Sequence, residues 1–170
     1  MAIVAVLGAS FSLREDEPNP CNVRLAKEVE RISDNLVSNG HLPVVVVQWE
    51  IDLALRRLGA DVVNWDYKVI GPFDTDEYLG TEELITEASS FFQSFGATKF
   101  VAVANPFIHQ QYVYFLARKH FKLMLRRVRW IGFDKQSSQW WCRSWWQFLY
   151  QTARLAMGAS HGYDGKQAKA

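Results

Sequence analysis

Hydrophobic positions in this chain alternate between short continuous runs and longer stretches with helical spacing. Short apolar runs rich in β-branched residues are typical of strands buried on both faces of a parallel sheet. They predict strands at residues 2–7, 44–48, 60–65, 100–104 and 128–133. Because helical segments separate these runs, the pattern predicts an α/β fold, a three-layer Rossmann-like α/β/α sandwich around a mostly parallel five-stranded sheet.

Between the predicted strands, apolar residues recur at the spacing of one helix face. The first such segment, 22–39, has Asn22 as its predicted N-cap and Gly40 as its C-terminal stop. A second helix is predicted at 51–58, a third begins at a Thr81 cap, a fourth follows the turn at 105–106, and a tryptophan-rich fifth covers 139–156. Residues 9–21 and 66–80 are predicted loops, and 158–170 read as a flexible tail after a single domain at 1–157.

Composition narrows the function classes. The chain has 170 residues, of which 49% are hydrophobic, as expected for one globular domain. Its formal net charge of +1 provides no global field to attract nucleic acid or an anionic membrane. The apolar run at 2–7 is too short for a signal peptide or a membrane span. We therefore expect a cytoplasmic protein with a small-molecule ligand, no nucleic-acid partner and no integral membrane segment. Whether the chain forms a homodimer is left open by the sequence.

The two cysteines, Cys21 and Cys142, are far apart in the sequence and lack CxxC spacing or nearby histidines. This arrangement argues against a disulfide framework and against a metal site, and it favours free thiols. No fingerprint of a hydride-carrying cofactor is present either.

Candidate chemistry concentrates where two predicted strands end. Gly8, Ala9 and Ser10 follow the first strand, and Asn105 and His109 follow the strand at 100–104. In a doubly wound sheet these two ends meet at the carboxyl edge, so we expect Ser10 and His109 to share a hollow. The glycine turn is a candidate anion cradle, with a purely steric role as the alternative. His109, in the first turn of its helix, is predicted to be neutral; the alternative is a histidine that only caps or packs.

Acidic pairs stand near the same edge. Glu50 and Asp52 follow the second strand, and Glu82 and Glu83 open the third helix. Each pair is also explained by favourable electrostatics at a helix N-terminus. Since none of the predicted strands leads into a GxSxG turn, a serine hydrolase is disfavoured.

Two further clusters carry alternatives. Arg126, Arg127 and Arg129 form a basic group that could meet phosphate, although a solvated approach to the last strand is the simpler interpretation. The fifth helix carries several tryptophans, and its predicted inward face has core spacing: Trp141, Trp145, Phe148 and Leu155. A core or dimer contact is the first interpretation, and binding at a membrane interface is the second.

The chain resembles the bacterial SanA/ElyC/YdcF family over residues 2–157. The resemblance rests on AVLGAS at the first strand, on Asn22-Val-Arg24-Leu-Ala26, on Thr81-Glu-Glu83-Leu84 and on VAVANPFIHQQY. The chain departs from the family pattern in three places. Leu84 replaces an Asn, Tyr112 replaces an Arg, and Gln48-Trp49-Glu50 replaces a Ser-Gly-Gly turn.

The resemblance implies a Rossmann-like fold with a polar pocket at the carboxyl edge, links to envelope functions, and a nucleotide-like ligand such as S-adenosylmethionine. Our functional hypothesis is therefore binding of an anionic or nucleotide-type molecule, with hydrolysis or group transfer if the protein is an enzyme. The predicted catalytic residues are His109, as proton carrier, and Glu83, which would accept a hydrogen bond from a ribose or sugar hydroxyl. The predicted ligand-binding residues are Gly8, Ala9, Ser10, Asn22, Arg24, Thr81 and Asn105, with Arg24 pairing the anion. The alternative is a non-catalytic interaction or envelope-related protein that associates through its tryptophan-rich helix.

Overall fold

A computed structural model describes residues 1–14, 18–71 and 80–156 of the chain. The strands are Ile3–Gly8 (β1), Leu42–Gln48 (β2), Asp66–Ile70 (β3), Lys99–Val103 (β4) and Lys122–Leu123 (β5). The α-helices are Pro20–Ser38 (α1), Trp49–Leu58 (α2), Thr81–Ser94 (α3), Ile108–Ala117 (α4) and Trp145–Ala156 (α5), and Trp140–Cys142 form a short 3₁₀ helix. The predicted tail at 158–170 lies outside the described residues.

All the strand pairs are parallel, and the strand order is β3-β2-β1-β4-β5. Helices α1 and α2 pack on one face of this sheet, together with Phe148 of α5, while α3 and α4 pack on the other. This arrangement confirms the predicted α/β Rossmann-like sandwich with a five-stranded sheet. Within the described residues, no helix combines the length and the apolar character needed to cross a bilayer.

The centre of the sheet brings the ends of β1, β2 and β4 together. Gly8 is in register with Val47 on one side and Val103 on the other, which confirms that β1 and β4 are neighbours. A Cβ atom on Gly8 would lie 2.8 Å from Val47 Cγ1 and 3.0 Å from Val29 Cγ2 of α1. Close helix–sheet packing therefore accounts for this glycine, as the steric alternative proposed.

The third strand is not where the hydrophobic run predicted it. Residues 60–65 form an irregular turn in which Val63 is 86% exposed, and the strand begins at Asp66 instead. The assignment of residues 66–80 to a loop is accordingly wrong for 66–70, while 72–79 lie outside the described residues. Because β3 is at the sheet edge, most of its residues are only half-buried, so it lacks the continuous apolar run of a central strand.

The last predicted strand, 128–133, is also wrong. The fifth strand has only two residues, paired with Lys99 and Phe100 at the start of β4, and the chain then leaves the sheet. Val128 and Ile131 are buried without strand pairing, because they pack on the α1 face of the core. The apolar character of this segment reflects its burial in the core rather than β structure.

Three helix starts differ from prediction. The side chain of Asn19, not Asn22, caps α1 by accepting from the N–H groups of Cys21 and Asn22. Helix α3 has Gly80 at its N-cap position, which makes Thr81 its first residue. The tryptophan-rich helix is interrupted, since only a 3₁₀ turn precedes α5.

Candidate functional site

The turn after β1 lies at the carboxyl edge as predicted, but its backbone donors are already engaged. The N–H of Ala9 donates to Val103 O at 2.9 Å. The N–H of Ser10 donates to Gln48 Oε1 at 2.6 Å, and the next N–H, of Phe11, donates to Asn22 Oδ1 at 2.9 Å. An anion at this turn would have to displace these acceptors, so the geometry does not favour the predicted cradle at Gly8, Ala9 and Ser10.

Asn22 holds this turn in place. Its side chain is fully buried, and besides accepting from Phe11 it donates to the carbonyl oxygen of Ser12 at 3.2 Å. Asn19 Nδ2 donates to the same carbonyl at 3.0 Å. Ser12 has φ +78°, a left-handed conformation that is costly for a residue with a side chain. Asn22 therefore stabilises a strained loop, and this position was predicted to bind ligand.

Asp134 connects that loop to the C-terminal part of the chain, a role that no sequence pattern indicated. Its carboxylate accepts from Ser12 Oγ at 3.0 Å and from Arg14 Nε at 2.6 Å, with a second Arg14 nitrogen on its other oxygen. Burial alone raises the pKa of Asp134, but the hydrogen bonds from Arg14, from the N–H of Gln136 and from Ser12 outweigh it and hold the pKa below its ordinary value. The result is a buried ion pair between residues distant in sequence.

The two cysteines lie near this ion pair. Cys21 and Cys142 are both buried. The carbonyl oxygen of Cys142 accepts from the N–H of Asp134 at 2.9 Å, and burial raises the pKa of the Cys142 thiol. Both cysteines therefore belong to the core, and the Cys142 thiol is protonated at neutral pH.

Thr81, His109 and the turn after β1 do come together. Thr81 Oγ1 lies 3.4 Å from His109 Nε2, and the Phe11 ring centroid lies 6.4 Å from that of His109. His109 is half-buried as a residue, but its Nδ1 is enclosed and makes no hydrogen bond within the described part of the chain; the same holds for Nδ2 of the fully buried Asn105. Burial lowers the pKa of His109 to about 4, so the ring is neutral at pH 7, as predicted.

The neutral state of His109 makes folding stability depend on pH. The unfolded histidine binds a proton below its ordinary pKa of 6.5, whereas the folded one does so only near about 4, so protonation between these values favours unfolding. We expect the free energy of unfolding to fall by about 2 kcal/mol between pH 7.5 and pH 5 because of this residue. Urea unfolding of the protein and of His109→Gln at both pH values measures the difference.

In His109→Gln this loss between the two pH values should disappear. The matched control is His120→Gln, which changes an exposed histidine and should leave the pH dependence intact. An equal loss in the protein and in His109→Gln would show that His109 is not the titrating group.

The two charged residues of the predicted site face elsewhere. Arg24 Nη1 donates to the carbonyl oxygen of Ile131 at 2.6 Å and so fixes the segment after β5. Glu83 Oε2 accepts from the N–H of Gly80 at 2.9 Å, which makes it a capping residue of α3, as the helix-end interpretation proposed. The edge around His109 therefore gathers neutral polar groups from Thr81 and Asn105, without the predicted ion pair to a ligand.

A cavity of about 540 Å³ lies on the α1 side of the sheet, and we call it the arginine cleft. Its lining comes from α1, from the turn before α4 and from the segment after β5: Arg31, Pro106, Phe107, Arg127, Val128, Arg129 and Trp130. A second cavity of about 230 Å³ shares Arg31 and Arg127 with it and adds Ile32, Asn35 and Arg126. The sequence pattern singled out the three arginines at 126–129 but not Arg31.

One buried carboxylate organises part of the arginine cleft. Glu28, 3% exposed, accepts from Arg31 Nη2 at 2.7 Å, and its other oxygen lies 3.4 Å from Arg129 Nε. Arg31 Nη2 also donates to the carbonyl oxygen of Arg127 at 3.1 Å. Four arginines line the two cavities, and Glu28 is the one carboxylate paired with them. The local formal charge is therefore about +3.

Aromatic rings form the other part of the cleft. Phe107 packs edge-on against Trp130, with centroids 4.9 Å apart, and against Trp145 of α5 at 4.6 Å. Trp130 is nevertheless 60% exposed. On α5, Phe148 is buried as predicted, but Trp145 is 36% exposed, so the predicted inward face is only partly buried among its described side chains. Trp146, which was not predicted to face inward, is 77% exposed.

Comparisons of the chain with protein-family models, curated proteins and solved structures gave no significant match. The resemblance to the SanA/ElyC/YdcF family therefore stays a prediction. Within the residues that the structure describes, no group of three or more His, Cys, Asp or Glu side chains has the arrangement of a metal site.

Proposed function

We propose that this protein binds an anionic, phosphate-bearing small molecule in the arginine cleft. The observation that carries the proposal is a cavity of about 540 Å³ lined by Arg31, Arg127 and Arg129. Its volume lies within the usual range for small-molecule sites, roughly 300–1,000 Å³. The ligand class is the one that the sequence suggested, but the site lies beside the turn before α4 rather than in the Gly8 turn.

Guanidinium groups suit phosphate because their planar donors match two phosphate oxygens at once. Glu28 holds Arg31 and lies beside Arg129, so these side chains lose little freedom when a ligand arrives. Arg127 is exposed, and its side chain makes no ion pair within the described residues, so it carries an uncompensated charge for the ligand. S-adenosylmethionine, with its positive sulfonium, fits this charge less well than a phosphorylated nucleotide.

The lining residues favour binding over catalysis. Apart from arginines, the side chains that line the arginine cleft are those of Pro106, Phe107, Val128 and Trp130, none of which serves as a nucleophile or a general base. His109 lies in the first turn of α4, two residues after Phe107 of the cleft. Its Nδ1 is enclosed, however, and its Nε2 lies 3.4 Å from Thr81 Oγ1. The proposal is therefore a binding protein, without a catalytic step.

Calorimetric titration with inorganic pyrophosphate tests this proposal. We expect binding to the protein and an affinity at least about tenfold weaker in Arg127→Gln, because a hydrogen bond between charged groups is worth about 1.5–3 kcal/mol. Arg57→Gln, on α2, is the matched control: it also removes one exposed arginine, away from the cleft, and should change little.

Two results would contradict the proposal. One is an absence of pyrophosphate binding at millimolar concentration. The other is an equal affinity in Arg127→Gln and in the parent, since the arginine that lacks a partner should contribute most directly.

A second candidate is association through α5, which the exposure of Trp146 (77%) and Tyr150 (61%) favours. These residues are one helical turn apart and form an exposed aromatic stripe. Sedimentation of the sample used for the titration separates this candidate from the first, because a chain that remains monomeric at that concentration does not self-associate through α5.

A further inference from the structure

We infer that the ligand of the arginine cleft carries a planar aromatic ring that stacks on Trp130, which makes it a nucleoside phosphate, with a nucleoside diphosphate as the best match. This inference rests on the proposed function and deepens it, since it assigns the part of the ligand that is not phosphate. It is argued from the geometry of Trp130 and from the local charge.

Trp130 packs against two phenylalanine rings and is still largely exposed. Phe107 meets it at an interplanar angle of 82° and Phe133 at 72°, with centroid distances of 4.9 and 6.1 Å, so both contacts are edge-on. Among the described residues, no aromatic ring stacks in parallel on Trp130. Because these neighbours fix the indole while 60% of the residue stays exposed, the ring is prepared for a parallel partner.

The exposed indole and the arginines border one cavity. Trp130 follows Arg129 directly in the chain, and both line the arginine cleft together with Arg127. A ligand whose phosphates pair with the guanidinium groups therefore places its remaining atoms beside Trp130. Stacking of bases on aromatic side chains requires no particular base edge, so no hydrogen-bonding group has to stand opposite the ring.

The charge of the site selects the number of phosphates. The arginine cleft and the second cavity share Arg31 and Arg127, and the four arginines that line them, together with Glu28, leave a local charge of about +3. A diphosphate whose terminal group is mostly ionised carries about −3 at neutral pH. A nucleoside monophosphate would leave part of this positive charge without a partner.

The test compares ADP with inorganic pyrophosphate by calorimetry, on the parent protein and on Trp130→Leu. Since stacking one base contributes about a fivefold to 150-fold gain in affinity, ADP should bind the parent at least about fivefold tighter than pyrophosphate. Trp130→Leu should abolish this preference, because ADP loses its stacking contact whereas pyrophosphate has no ring to stack. Trp130→Tyr, which retains a stacking ring, should keep the preference.

Trp146→Leu is the matched control, because it removes an exposed tryptophan outside the cleft and should leave the preference intact. Equal affinities of ADP and pyrophosphate for the parent would overturn the inference and leave the proposed function standing. An equal loss of both ligands in Trp130→Leu would show a merely structural role for the indole and would also overturn it. If pyrophosphate does not bind the parent at all, the proposed function itself fails.

Discussion

Replacing Asp134 with alanine is expected to lower the free energy of unfolding by about 3–5 kcal/mol, the usual cost of removing one partner from a buried ion pair. Asp134 is 4% exposed and accepts from Ser12 and Arg14, so its loss leaves the Arg14 guanidinium, the side chain of which is only 16% exposed, without its carboxylate. The strained Ser12 loses its hydroxyl partner as well. Urea unfolding at pH 7 measures the effect.

Lys135→Ala is the control for this experiment, because it changes the exposed neighbour in the chain and should alter stability by less than about 0.5 kcal/mol. The double variant Arg14→Ala/Asp134→Ala should recover part of the loss, since it also removes the guanidinium that has lost this carboxylate. Strict additivity of the two single substitutions would mean that Arg14 and Asp134 contribute independently. Because the pKa of Asp134 is held below 3.8, its contribution is complete at neutral pH and is lost only in more acidic solution.

Replacing Asn22 with alanine should destabilise the fold by about 2–4 kcal/mol without changing pyrophosphate binding. The substitution leaves the buried N–H of Phe11 unsatisfied, which costs about 1–3 kcal/mol, and removes one of the two donors to the carbonyl oxygen of Ser12. Urea unfolding and calorimetry, at a temperature where the variant remains folded, measure both quantities.

Ser38→Ala, at an exposed position of the same helix, controls for the change in helix sequence and should be nearly neutral. If Asn22→Ala instead kept its stability and lost ligand affinity, Asn22 would be a binding residue, as the sequence first suggested.

The centre of the fold was predictable from hydrophobic pattern because central parallel strands are buried on both faces. The apolar runs that became β1, β2 and β4 and the amphipathic α1 were therefore recognised. The edge strands were not, since β3 is half-buried and β5 has two residues. Beside β3, the segment at 60–65 had the stronger strand-like pattern, although it forms a turn. Beside β5, the segment at 128–133 had the stronger pattern because tertiary packing buries its apolar residues.

The candidate site was predictable only in part. Adjacency of β1 and β4 followed from topology, and with it the position of His109 beside the turn after β1, where its ring lies 6.4 Å from that of Phe11. The sequence did not reveal which hydrogen-bonding groups are already engaged with other groups of the protein. Gln48 and Asn22 occupy the N–H groups of the turn, and Glu83 caps its own helix.

The arginine cleft was missed for a different reason. It joins Arg31 of α1 to a segment about 100 residues later, and only the tertiary fold brings these parts together. The buried Glu28 between them gives no sign in the sequence that it differs from a surface acid.

The most direct test of this account is an NMR titration of the isotopically labelled protein with ADP, which follows the backbone amides and the arginine Nε–Hε signals. We predict that the perturbed signals belong to Arg31, Phe107, Arg127, Arg129 and Trp130, and that the amides of Ser10, Thr81 and His109 stay unchanged. Perturbations centred on Ser10, Thr81 and His109, with the arginine signals unmoved, would contradict the account and return the ligand to the carboxyl edge of the sheet.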